Sequence, residues 1–226
     1  MSRMHSLAVL ALTAGVLHSA ALPAQQRNQE FRGWGAFVDP DGTCKCKLEN
    51  GQLTITIPNS THEITYRQDY SKLNGPRVLQ SLEGDFNIEV KVLTFPRPQP
   101  MTAASGPYSF VSAGILVWIN EQNLIRLERG AESNSLFIHL ERFAKAKTDS
   151  RKLKGITDND VTLRLTRVGN KLTYYYKLDT KAGEPEIELF SETVELPLRL
   201  QVGVLANNTT IKEFAPVFEG LKIEKK

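Results

Sequence analysis

Cysteine, histidine and aromatic residues are scarce in this chain. Its 226 residues include two Cys, four His and two Trp, and only 8% are aromatic. The cysteines, Cys44 and Cys46, are one residue apart. On a strand such positions lie roughly 6.5–7 Å apart on one face, too far for an unstrained disulfide. No second Cys or His pair stands at a zinc-ligand spacing, which removes a structural zinc site. The two are expected as buried or half-buried thiols, with a strained or intermolecular disulfide as the alternative.

An excess of charge is missing as well. Lys and Arg number 28 against 25 Asp and Glu, a formal net charge of +3, and the basic residues are interleaved with acids. That balance predicts neither a nucleic-acid partner nor a membrane-surface role. The densest basic stretch, Lys145, Lys147, Arg151, Lys152 and Lys154, reads as a solvated loop, with an anionic-ligand site as the other reading. There is no Ser-His-Asp order, nucleophile elbow or phosphate-cradling glycine loop.

Only one long apolar run exists, and it is N-terminal. Arg3 precedes Leu7 to Leu17, small residues follow at Ser19, Ala20, Ala21 and Ala24, and the chain then turns polar. This is the order of a secretory signal, expected over residues 1–24 with cleavage after Ala24 or Ala21. It is shorter than the ~20 residues that cross a bilayer, so no membrane span is expected after cleavage. Residues 25–226 then form one domain of a secreted or periplasmic protein, long enough for a real core.

What the chain has is period-two alternation. Cys44 to Leu48 and Leu53 to Ile57 alternate around Asn50-Gly51, and Phe86 to Leu93 places Phe86, Ile88, Val90 and Val92 on one face. Ser112 to Ile119 is apolar on both faces and is expected in mid-sheet. The return Leu124 to Arg129 follows, and then segments beginning at Leu136, Val161, Leu172, Ile187, Leu198 and Phe214, with Gly169-Asn170 as a further tight turn. A long loop is expected from Phe95 to Pro107. No helical period is sustained. The pattern predicts an all-β, two-sheet antiparallel sandwich of jelly-roll type.

Ala113-Gly114-Ile115-Leu116-Val117-Trp118 followed by Asn123-Leu124-Ile125-Arg126-Leu127-Glu128-Arg129 resembles the concanavalin A-like domains of the regulation-of-enolase type, a bacterial group. It is similar to the C-terminal concanavalin A-like domain of certain β-xylosidases. Trp34 with Asp39-Pro40-Asp41-Gly42, Pro76 to Gln80, and Glu83-Gly84-Asp85-Phe86 also fit, so the resemblance runs from Phe31 to Ile223. In the xylosidases this domain accompanies a separate catalytic propeller. The resemblance implies a concanavalin A-like jelly roll, and its motifs mark the fold rather than an activity.

That fold hosts glycosidases, which need two carboxyl groups about 5–5.5 Å apart when they retain configuration. The Glu-x-Asp-x-x-Glu string of laminarinase-type members is absent. Glu186 and Glu188 read as charges protecting an exposed edge strand. Arg126 and Glu128 must share the strand face opposite Ile125 and Leu127. With Trp118 beside them they form a sugar-binding candidate; a half-buried Trp beside a surface salt bridge is the alternative. His139, Tyr174 and Tyr176 are further candidate ligand-binding residues, and His62, Arg142 and Arg164 could share the concave surface. Asp39 and Asp41 are candidate calcium ligands, with an Asp-Pro-Gly turn as the alternative. Asn59, Asn207 and Asn208 head glycosylation sequons that matter only in a eukaryotic secretory route. The expected function is an exported, non-catalytic carbohydrate-binding module whose partner is a glycan. A glycoside hydrolase with an unfamiliar site and a structural or protein-binding sandwich are the alternatives.

Overall fold

The computed structural model describes residues 29–67, 70–100, 102–104, 109–180 and 184–226. The signal segment expected over residues 1–24, and the expected start of the domain at Gln25, lie outside them.

Alternation in the sequence becomes two antiparallel sheets. The eight-stranded sheet runs β1 (Glu30–Phe31), β2 (Gly35–Val38), β7 (Arg77–Glu83), β16 (Arg199–Asn208), β9 (Phe110–Asn120), β10 (Asn123–Glu132), β11 (Leu136–Ala144) and β12 (Lys147–Gly155). The seven-stranded sheet runs β15 (Ile187–Thr193), β14 (Lys171–Leu178), β13 (Val161–Val168), β8 (Phe86–Val92), β17 (Val217–Lys225), β4 (Gln52–Thr56) and β3 (Lys45–Glu49). A hairpin of β5 (Ile64–Arg67) and β6 (Tyr70–Leu73) stands apart from both. No helix occurs among the described residues.

The facing surfaces of the sheets make the main core. Ile88, Val90 and Val92 meet Ile115, Val117, Ile125, Leu127, Val202 and Val204, all fully buried or nearly so. Burial of each such side chain contributes about 1.5–3 kcal/mol. β8 alternates buried and half-buried positions as its sequence requires. At the β3–β4 turn Asn50 and Gly51 take φ of 50° and 81°, the left-handed pair that an Asn-Gly hairpin turn demands. β9 lies in mid-sheet between β16 and β10. β15 forms an edge with Glu188 exposed, as its acidic residues indicated. Cys44 and Cys46 are separate half-buried thiols packed against the core. Burial pushes both up to about 12, and the nearby Asp39 charge adds to this at Cys44.

Two segments differ from expectation. The basic stretch from Lys145 to Lys154 is largely β12, an edge strand rather than a loop. Its long side chains alternate about the strand, so no apolar pattern announced it. The polar segment after Pro58 contains β5 and β6, where no strand was expected. This hairpin lies on the outer face of the eight-stranded sheet and builds a second apolar cluster there. Ile64 packs with Leu79, Leu116, Leu124, Phe143 and Leu205, and Tyr66, Leu73 and Trp118 close the cluster. β9 therefore reads apolar on both faces because each face has its own cover.

Candidate functional site

The outer face of the eight-stranded sheet carries a polar trough beside the hairpin. Register builds its floor: Arg126 pairs with Glu141 across β10 and β11, and Glu128 pairs with His139. Period two brings all four side chains to one face. The result is a checkerboard, with the two carboxylates on one diagonal and the two nitrogen side chains on the other. On β9, Ser112 and Gly114 continue the floor, and Asn207 borders it from β16.

The floor is buried and tightly bonded. Arg126 Nη2 donates to Glu141 Oε2 at 2.5 Å, and its Nε lies 3.6 Å from Glu128 Oε2. Ser112 Oγ and Asn207 Nδ2 both donate to Glu128 Oε1, at 2.8 and 2.5 Å. Thr148 Oγ1 donates to Glu141 Oε1 at 3.0 Å. His139 sits between the carboxylates, with Nδ1 3.6 Å from Glu128 Oε2 and Nε2 3.7 Å from Glu141 Oε2. Glu128 is 0% exposed and Arg126 3%. Such an arrangement survives only because the charges are paired.

Desolvation by burial is the largest single influence and opposes ionisation of Glu128 and Glu141, yet the Arg126 guanidinium, together with His139 and the hydrogen bonds from Ser112 and Thr148, holds both carboxyls below the usual range. The same pairing raises Arg126 against its burial. Both glutamates are therefore carboxylates at neutral pH.

Above this floor the trough has a volume of ≈ 890 Å³. Phe137 and Tyr66 contribute rings, and Arg151 and Leu153 of β12 form the outer rim. Phe137 packs against Gly130, where a Cβ would come within 2.2 Å of the ring. A Cβ on Gly114 would meet the Leu127 carbonyl oxygen at 2.1 Å, so glycine there permits the close approach of β9 to β10 beside Glu128. Polar atoms are left over in the floor: Arg126 Nε and Nη1, Glu128 Oε2 and His139 Nε2 have no hydrogen-bond partner. Buried polar groups are rarely left in that condition.

The residues expected from the sequence divide between this trough and other places. Arg126, Glu128 and His139 come together in it. Trp118 shares their sheet face, but the diagonal of Leu205, Leu116 and Leu124 separates it from Arg126. Its ring is half-buried under Arg77, whose guanidinium carbon is 4.3 Å from the ring centroid, and it borders a different depression with Ser81 and Gln201. Tyr174 and Tyr176 do not reach this surface; they are buried between the sheets, where Tyr174 Oη donates to Glu192 at 2.7 Å. Arg142 is three positions from His139 and so points to the opposite face, bonding Glu192 and Asp149. Arg164 lies on the outer face of the other sheet, paired with Glu186 and 4.0 Å over Tyr175. His62 is buried against Thr43 Oγ1 at 2.9 Å, under the loop that holds Asp41.

Asp39 and Asp41 serve the turn. Asp39 Oδ2 accepts the Cys44 amide at 2.6 Å, and Asp41 accepts Asn74 Nδ2 at 2.7 Å. Asp39 Oδ1 has no partner, but two carboxylates fall short of the six to eight oxygens calcium takes. Among the described residues no group of three or more His, Cys, Asp or Glu is arranged to hold a metal. Asn207 and Asn208 are fully buried and bonded within the fold, which removes two of the three sequons as accessible sites.

Glu141, Ser112, Phe137 and Asn207 were missed by sequence reasoning. A signal for two of them existed: residues 137, 139 and 141 share one strand face, so choosing His139 implied Phe137 and Glu141. Nothing in the sequence linked Asn207 to Glu128.

No protein-family profile matches the sequence, and no curated protein does. Solved structures do match in fold. A functionally unknown protein from Saccharomyces cerevisiae superposes with a TM-score of 0.67 at 16% identity, covering 85% of this chain and 97% of its own. A GH43 protein from Bacillus licheniformis gives 0.60 at 13% identity, over 87% of this chain and 37% of its own, so this chain spans little over a third of that protein. The alginate lyase from Klebsiella pneumoniae gives 0.52 at 12% identity, over 80% and 84%. At these identities the likeness concerns fold alone: an all-β, two-sheet jelly-roll sandwich of the concanavalin A-like kind.

Proposed function

We propose that this protein is an exported, non-catalytic domain that binds carbohydrate in the trough on the outer face of its eight-stranded sheet. One observation carries the reading. Paired, buried charges with unpartnered donor and acceptor atoms lie beneath a trough of ≈ 890 Å³ bordered by Phe137 and Tyr66. A sugar presents hydroxyls to fixed polar groups and an apolar ring face to aromatic ones, and the trough offers both. The alginate lyase and the GH43 protein among the fold neighbours are consistent with a carbohydrate ligand.

Hydrolysis is the weaker reading. A glycosidase needs one carboxyl held protonated near neutral pH as general acid. Here Arg126 holds both trough carboxyls below their usual range, and Glu128 is sealed from solvent.

The test is a glycan array on the chain from Gln25, followed by titration of the retained glycan against wild type and His139→Ala. Retention of one glycan class, weakened by His139→Ala without a large change in thermal midpoint, supports the reading. A folded protein that retains no glycan sinks it, and steady release of reducing sugar from the bound glycan sinks the non-catalytic part. Export is tested separately, by fractionating cells that express the full chain.

A further inference from the structure

We infer that the trough takes the end of a glycan chain rather than its middle; this rests on the carbohydrate reading above. The β5–β6 hairpin supplies the reason. β5 does not run along the sheet beneath it but across it. At its start the Ile64 amide donates to Asn207 Oδ1 of β16 at 2.9 Å. Two residues on, Tyr66 sits over Phe143 of β11 with ring centroids 5.4 Å apart. β5 also packs against β12, the edge strand. These three anchors span the sheet from β16 through β9, β10 and β11 to β12.

The apolar row beneath β5 follows the same line. Leu205 lies beside Gly114, Leu116 beside Arg126, and Leu124 beside both Trp118 and Phe143, so the row steps diagonally over the sheet. Leu205, Leu116 and Leu124 are fully buried by the hairpin, which leaves no channel beneath it. Tyr66 Oη further bonds the Glu121 carbonyl, tying the hairpin to the β9–β10 turn.

The polar floor lies wholly on one side of this wall, and Trp118 on the other. At the end away from the hairpin the trough is lined by Phe110, Glu132 and Ser135. Among the described residues β5–β6 is the only strand pair outside the two sheets, so no second strand wall closes that end. A trough of ≈ 890 Å³ is also the size of a site for one small ligand, not of a groove traversed by a polymer. A linear glycan threading both ways would have to pass through β5. A chain terminus enters past Ser135, rests over Arg126, Glu141 and His139, and stops against Thr65 and Tyr66.

Calorimetric titration of the chain from Gln25 with xylan and with alginate, each beside its own hexamer at matched molar concentration of chains, tests this. Chain-end binding gives one protein per glycan chain at every length, with equal affinity per chain. Several proteins on each polymer chain, with binding that grows with chain length, overturn the inference and leave the carbohydrate reading intact. Folded protein that binds neither pair, and retains no glycan on the array, overturns both. Tyr66→Ala opens the wall and also removes one ring of the site, so hexamer binding should weaken while the number of proteins per polymer chain rises; an unchanged count of one, with the hairpin still folded by amide exchange, counts against the wall as the cause.

Discussion

Two arginine–glutamate pairs show what the fold does with one chemistry. Arg126 and Glu141 on the trough face have side chains 3% and 9% exposed, while Arg164 and Glu186 on the opposite face of the sandwich are 23% and 30% exposed. Both pairs join opposite charges on or next to strands. The first sits beside a hairpin and inside a network that includes Glu128, His139, Ser112 and Asn207. The second meets water. Pairing on the outer pair adds little, because solvent competes and the side chains lose entropy. Pairing on the inner one decides whether buried charges are tolerated at all. A face that spends burial on charge is the face to search for a ligand.

The strongest way to sharpen this contrast is Arg126→Met. It leaves Glu128 and Glu141 buried without their cation, and a loss of ~3–5 kcal/mol is expected by urea denaturation at neutral pH. Adding Glu128→Gln and Glu141→Gln to the same variant should recover most of that loss, since the uncompensated charge is the cause.

Next comes Ser112→Ala, which removes a donor from the buried Glu128 carboxylate. A hydrogen bond to a charged group contributes about 1.5–3 kcal/mol, and a loss of that order is expected from the same measurement.

Acid should separate the two faces as well. The folded carboxyls of Glu128 and Glu141 lie below the ordinary range, so their contribution is full above the unfolded value of about 4.3 and is lost as pH falls through the lower folded values. Thermal midpoints should therefore drop below about pH 4.5 in wild type, and the drop should be shallower in Glu141→Gln. A slope unchanged by that substitution would break the assignment.

The smallest effect belongs to the outer pair. Arg164→Ala should cost ~0–1 kcal/mol, less at high salt, because the pair is solvated and screened. A loss as large as that of Arg126→Met would erase the distinction between the faces.

How much of this was legible beforehand varies by element. The facing strands were, because an apolar residue at every second position has only one way to be buried. Arg126 and Glu128 were placed on one face correctly, since period two requires it. Their environment was not: a surface salt bridge and a buried network have the same sequence. Trp118 shared the right face and still missed the trough, because Leu116 and Leu124 stand between it and Arg126 once β9 and β10 pair, and Leu205 joins that row from the distant β16. Tyr174 and Tyr176 were as alternating as any exposed pair, and only the position of β14 against the other sheet shows them buried.

The sequence by itself determined the sandwich: strand spacing, Asn-Gly punctuation and two-residue periodicity are local and need no partner to be read. The trough was decided by tertiary structure. Asn207 meets Glu128 across 79 positions of chain, and Ile64 is tied to Asn207 across 143. Contacts at such separation leave no periodic trace, because each partner is constrained by the other and by neither one's neighbours. The hairpin that walls the trough is short and largely polar, so its sequence resembled a loop until the leucines beneath it were assembled from four different strands.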